Sequence, residues 1–92
     1  MAKAVITVKI MPESPDTDLT KLEKEAKKII TDFAGKGETK SEQEPIAFGL
    51  KALKIMFVMD ESKGSPDPVA EKITNIKGVN SAEIVDVRRA IG

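Results

Sequence analysis

The groups in this chain best placed to do chemistry are carboxylates, hydroxyls and guanidiniums, because it contains no Cys and no His. That excludes thiolate nucleophiles, imidazole bases, disulfides and the usual zinc and copper ligands. Glu42 and Glu44 stand at strand spacing, which puts two carboxylates on one face as acid–base chemistry needs. Their neighbours are polar, so the pair reads as solvating charge. Ser14, Ser41, Ser62, Ser65 and Ser81 have no His to activate them. Lys63-Gly64-Ser65 has the tail of a phosphate loop without the upstream glycines, and reads as ordinary surface. No Asp-rich loop has EF-hand spacing. The expectation is a protein without covalent chemistry, bound metal or cofactor.

What remains is non-covalent recognition, and two segments stand out. Glu44-Pro45-Ile46-Ala47-Phe48-Gly49-Leu50 is a short apolar turn. It carries one of only three Phe in a chain with no Tyr or Trp. Aromatic side chains often anchor interfaces, and a neighbouring Gly lets a partner backbone come close. Pro45, Ile46, Phe48 and Gly49 are therefore candidate contacts. The alternative is a Phe48 ring that plugs the end of the core beneath the first helix. Arg88 and Arg89 form the second segment. Neighbours on a strand point to opposite faces, so one guanidinium stays solvated while the other reaches a carboxylate or phosphate on a partner. A solubilising strand end fits the spacing equally well.

The elements that must position these residues follow from periodicity. Ala4 to Met11 alternates, with Ala4, Ile6, Val8 and Ile10 on one side, so it is a half-buried strand. Leu19 to Phe33 places Leu19, Leu22, Ala26, Ile29, Ile30 and Phe33 on one helical stripe. Asp16 or Asp18 caps that helix, Glu23 and Lys27 form an i,i+4 pair, and Gly35 and Gly37 supply the stop. Thr39 to Glu44 is a charged edge strand ended by Pro45. Leu50 to Met59 is a central strand with Leu53, Ile55, Phe57 and Met59 facing the core. Asp67 caps a second helix with Pro68 at its first position; Val69, Ile73 and Ile76 form its stripe, and Gly78 ends it. Ala82 to Val87 is the last strand, with a parity break that signals a bulge.

The order β-α-β-β-α-β with right-handed crossovers predicts an α+β, ferredoxin-like fold: a four-stranded antiparallel sheet with two helices on one face. The two terminal strands are expected side by side in its middle, with Arg88 and Arg89 at one end. Val5, Thr7, Lys9, Met56 and Val58 should line the face opposite the helices. Ninety-two residues have room for one core, so residues 1–92 are expected to be a single domain.

Charge narrows the partners. Acids and bases balance at fifteen each, which disfavours nucleic acid and anionic membrane. RNA-binding modules of this topology stack bases on aromatic residues of their central strands. Here the first strand has none and Phe57 has core parity. The N-terminal apolar run is interrupted by Thr7 and Lys9 and is too short for a signal peptide or a span, so a cytoplasmic location is expected.

Three blocks together resemble a known family. They are Met11-Pro12-Glu13-Ser14-Pro15-Asp16, Pro45-Ile46-Ala47-Phe48-Gly49-Leu50-Lys51-Ala52-Leu53 and Asp86-Val87-Arg88-Arg89. The chain is similar throughout to archaeal elongation factor 1-beta, the counterpart of the eukaryotic C-terminal exchange domain. The resemblance implies a guanine nucleotide exchange factor that promotes GDP release and GTP reloading on elongation factor 1-alpha. Its partner would be that G protein, GDP-bound or nucleotide-free, and the free chain would be monomeric. Pro45, Ile46, Phe48 and Gly49 match the family's contact loop. In eukaryotic relatives a lysine before the C-terminal residue approaches the Mg²⁺ site of the G protein. This chain instead reads Arg88-Arg89-Ala90-Ile91-Gly92, so Arg88 or Arg89 is the candidate replacement. A ferredoxin-like regulatory module binding a small ligand at a dimer interface is the alternative from another class.

Overall fold

The computed structural model describes residues 3–35 and 37–90. The alternating run at the N-terminus forms β1 (Lys3–Pro12), and the helical stripe forms α1 (Leu19–Ala34). Then come β2 (Thr39–Pro45), β3 (Lys51–Asp60), α2 (Asp67–Thr74) and β4 (Val79–Ala90). Asp18 is the residue that caps α1, accepting N–H bonds from Thr20 at 3.0 Å and Lys21 at 3.2 Å. At the other end Gly35, with φ of 83°, closes the helix by donating to Thr31. Glu23 and Lys27 form the expected pair at 3.9 Å. Glu23 also accepts from the Ser41 hydroxyl, which ties α1 to β2.

The strands form one antiparallel sheet in the order β2-β3-β1-β4. Together with the helices this is the ferredoxin-like βαββαβ arrangement. One expectation is corrected: β4 pairs with β1 but lies at the sheet edge, and the middle belongs to β1 and β3. Each βαβ crossover skips one strand position. The skipped positions are filled by β3 in the first unit and by β1 in the second, which pushes β2 and β4 outwards.

Period-two alternation decides which residues meet the helices. Ile6, Val8, Ile10, Leu53, Ile55 and Phe57 are essentially fully buried. They join Leu22, Ala26 and Ile30 of α1 and Val69 and Ile73 of α2 in one cluster. The open face carries Val5, Thr7 and Lys9 of β1 and Lys54, Met56 and Val58 of β3, as the alternation predicts. The β4 bulge falls where parity breaks: Thr7 faces Asp86 and Val8 faces Ile84, leaving Val85 unpaired and exposed. β4 nevertheless runs on to Ala90, because β1 offers partners along its whole length.

α2 differs from expectation at both ends. Pro66 occupies the cap position, and the Ser65 hydroxyl accepts the Asp67 N–H, so Asp67 lies in the first turn. The helix stops at Thr74, leaving Ile76 in the turn that follows. In that turn Gly78 has φ of 96° and a Cβ there would meet the Thr17 methyl at 3.3 Å. Its carbonyl accepts the Glu13 N–H at 2.9 Å, joining the β1–α1 and α2–β4 loops. No described helix is long and apolar enough to cross a membrane.

Phe57 is 2% exposed at the centre of the cluster. Phe57→Ala is expected to cost about 3–5 kcal/mol, read as a lowered midpoint in urea unfolding.

Candidate functional site

The β2–β3 connection builds the first half of the site. The ladder between these strands ends at Pro45–Lys51. Pro45 is tolerated there because β2 is an edge strand and no ladder partner needs its missing N–H. Beyond it the Ile46 N–H donates to the Leu50 carbonyl at 2.8 Å. The Leu50 N–H donates to the Ala47 carbonyl at 3.2 Å, closing a tight turn around Phe48 and Gly49. Both residues have positive φ, 61° for Phe48 and 76° for Gly49. With ψ of 31°, Phe48 sits at the geometry of the first central residue of a type I′ turn.

Phe48 is the only non-glycine described residue with positive φ. A left-handed backbone costs an L-residue other than Gly, Asn or Asp about 1–2 kcal/mol. No burial offsets that cost, since Phe48 is 93% exposed. The core-plug alternative is thereby overturned. The ring stands on the tip of the hairpin, and such strain is found where a site over-determines its geometry.

Around the tip, Pro45, Ala47 and Gly49 are exposed and Ile46 is half-buried. A groove of about 440 Å³ runs beside it, between the hairpin and the β1–α1 loop. Ser14, Thr17 and Thr20 line one wall, Gln43, Gly49 and Lys51 the other. The stem of the hairpin is fastened on the open face, where Lys54 Nζ lies 2.7 Å from Glu44 Oε2. The hydrogen bond from Lys54, and then its charge, holds the Glu44 carboxyl below the ordinary glutamate range. Glu42 and Glu44 thus make no acid–base dyad: Glu42 is exposed, and Glu44 is engaged by a lysine.

The second half is the end of β4. Arg88 stands opposite Val5 on the open face and Arg89 opposite Ala4 on the helix side, so the two guanidiniums leave the strand in opposite directions. Both are largely exposed, and each meets a carboxylate of the chain itself. Arg88 Nε donates to Asp86 at 2.8 Å. Arg89 Nε donates to Glu61 Oε1 at 2.8 Å and its Nη2 to Oε2 at 3.4 Å. The Glu61 hydrogen bond, followed by its charge, pushes the Arg89 pKa further up. Sequence reading did not single out either acid. Asp86 was detectable, being two residues from Arg88 on one strand face. Glu61 lies 28 residues from Arg89 and had no local signal. Ile91 and Gly92, the segment beside which the family's lysine is sought, lie outside the described residues.

The structure does not bring the two halves together. Phe48 lies before the start of β3, whereas Arg89 shares a row with Ala4 and Met59 near the end of it. Ten residues of strand separate these ends, about 33 Å, in a molecule 42 Å long. On the open face between them, Val5, Met56 and Val58 line a shallow cavity with Lys40. Among the described residues no three acidic side chains converge as a cation site.

Comparison with known proteins adds a second, independent line. Residues 5–90 match the family described as EF-1 guanine nucleotide exchange domain. Elongation factor 1-beta of Methanothermobacter thermautotrophicus is 44% identical over 89 residues, covering 97% of this chain and 98% of that protein. The protein of the same name from Methanobrevibacter smithii is 42% identical, again covering 97% and 98%. That of Methanoregula boonei is 39% identical over 87 residues, covering 95% and 96%.

The strain at the tip yields a stability prediction. Phe48→Asn places a residue that accepts left-handed backbone at this turn and removes no buried surface. It is expected to stabilise the protein by about 1 kcal/mol, a rise of roughly 4–8 °C in Tm. Thermal melts followed by circular dichroism check this; a lowered Tm would mean that the ring supports the fold.

Proposed function

This chain belongs to the EF-1 guanine nucleotide exchange domain family, that of the archaeal elongation factor 1-beta proteins, and we propose that it accelerates GDP release from elongation factor 1-alpha so that GTP reloads. Guanine nucleotide exchange in translation elongation is the family's role. The partner's nucleotide state and the assignment of contacts to particular residues are our own reading. Residues 1–92 act in it as one exchange domain, monomeric until it meets the G protein.

The observation that carries this reading is Phe48, a strained and exposed aromatic at the tip of the β2–β3 hairpin. Exchange requires no bond to be made or broken. It requires a surface that binds the nucleotide-free G protein more tightly than the nucleotide-bound form, and the coupling is reciprocal. Each tenfold acceleration gained this way needs about 1.4 kcal/mol of differential contact energy. A desolvated aromatic anchor is a suitable source, with Pro45, Ile46 and Gly49 as its surround.

The β4 end supplies charge. A guanidinium brought near a Mg²⁺ site weakens the metal by repulsion or captures one of its carboxylate ligands. Since the hairpin tip and β4 end are about 33 Å apart, one G protein must be gripped along the length of the sheet. An anchor at one end and a charge at the other then act on separate parts of the partner.

Release of a fluorescent GDP analogue from the cognate elongation factor 1-alpha tests the proposal. The wild-type chain should speed release, and Phe48→Ala should reduce the effect about tenfold or more without lowering Tm. No acceleration by the folded wild-type chain would overturn the exchange reading. Full activity of Phe48→Ala would remove the anchor from it.

A further inference from the structure

We infer that Glu61 is a positioning residue that holds Arg89 and so aims the end of β4, leaving Arg88 as the guanidinium that meets the partner. The inference deepens the exchange reading and rests on it for the identity of that partner. Two ion pairs of different construction carry it. The Arg88–Asp86 pair is local, one contact between residues two apart on the same strand, so it moves with the strand and cannot direct it. The Arg89–Glu61 pair spans 28 residues and uses two donors on two oxygens. Such a fork fixes the guanidinium plane as well as its distance.

Glu61 is itself well held. It opens a single 3-10 turn, Glu61–Lys63, directly after β3. The Asp60 carboxylate accepts the Ser62 N–H at 2.9 Å, and the Glu61 carbonyl accepts the Gly64 N–H at 3.1 Å. Its side chain is 33% exposed against 71% for Arg89, so the acid is the seated member of the pair. The row of Arg89 runs through Ala4, a small residue, to Met59, and Glu61 follows two residues beyond Met59, past the end of β3.

The end of β4 needs such a hold. As an edge strand it has a ladder only to β1, whose last pairs there are Lys3–Ala90 and Ala4–Arg89. Strand ends paired on one side fray readily. Glu61 adds a tie to the β3 end, across the full width of β1. With Arg89 held on the helix side, Arg88 leaves from the open face beside Val5, 79% exposed and pointing to solvent.

The test uses the full chain with cognate elongation factor 1-alpha and a fluorescent GDP analogue, over a range of chain concentrations. Glu61→Gln and Arg89→Glu should raise the half-saturating concentration, for Glu61→Gln roughly two- to fivefold, with the plateau rate little changed. The reversed pair, Glu61→Arg with Arg89→Glu, should return towards wild type. A reversed pair no better than Arg89→Glu alone would overturn the inference, because Arg89 would then touch the partner itself. A second measurement does not depend on the partner. On this edge strand one of the Arg88 and Arg89 amides bonds to β1 and its neighbour faces solvent. The bonded amide should exchange hydrogen faster in free Glu61→Gln than in the free wild type; an equal rate at that amide would overturn the inference. If the wild type fails to accelerate GDP release, the exchange reading falls and this arm still decides the role of Glu61.

Discussion

Eight successive residue pairs, from Lys3–Asp60 to Ile10–Leu53, join β1 to β3, and the rest of the molecule takes its position from that ladder. Because side chains alternate, this register places Ile6, Val8 and Ile10 on the same side as Leu53, Ile55 and Phe57. A slip of one residue would turn one strand's apolar set to water, bringing either Thr7 and Lys9 of β1 or Lys54 of β3 under the helices. Burial therefore fixes the register, and the register fixes the ends. The β2–β3 hairpin must emerge where β1 finishes, and the tail of β4 must lie where β1 begins. The separation of about 33 Å between the hairpin tip and the end of β4 is thus a consequence of core packing, and no loop has to be placed independently to create it.

The hairpin shows how such a frame holds an unfavourable residue in place. Seven pairs from Thr39–Phe57 to Pro45–Lys51, with the Glu44–Lys54 ion pair across them, bring the chain into a turn that requires positive φ at its tip. Asn-Gly would suit that turn better than Phe48-Gly49. The chain keeps an aromatic in the strained position with its ring in water. Within the exchange reading, that cost is repaid on binding. The ring is already projected when the partner arrives, so less ordering remains to be done at the encounter.

Much of this was legible in the amino-acid sequence, for physical reasons that differ from residue to residue. β1, α1 and β3 declared themselves because each buries one face, so apolar residues recur at the period of the element. The β4 bulge was visible as the change of parity between Ile84 and Val85. The place of β4 at the edge was not, since sheet order depends on which strand fills each crossover gap. At α2, Ser65 and Asp67 are both residues that cap helices, and only the backbone path separates them. Phe48 was recognisable as a scarce aromatic, but Ala-Phe-Gly does not encode its φ, and only the fold, which leaves the ring exposed, excludes a place in the core. Arg88 and Arg89 were seen as a pair, whereas their division between two faces and two carboxylates required the fold. The Arg89–Glu61 contact depends on β1 lying between two strands far apart in the chain, and local spacing carries no trace of it.

Within the exchange reading, one G protein is gripped at both ends of the sheet. Amide hydrogen exchange across the whole chain, alone and saturated with nucleotide-free elongation factor 1-alpha, addresses it most directly. Slowed exchange is expected at residues 46–50 and at residues 86–90 in the same complex, with the outer surface of α1 unchanged. Protection confined to one end, or centred on the helices, would contradict the two-ended grip.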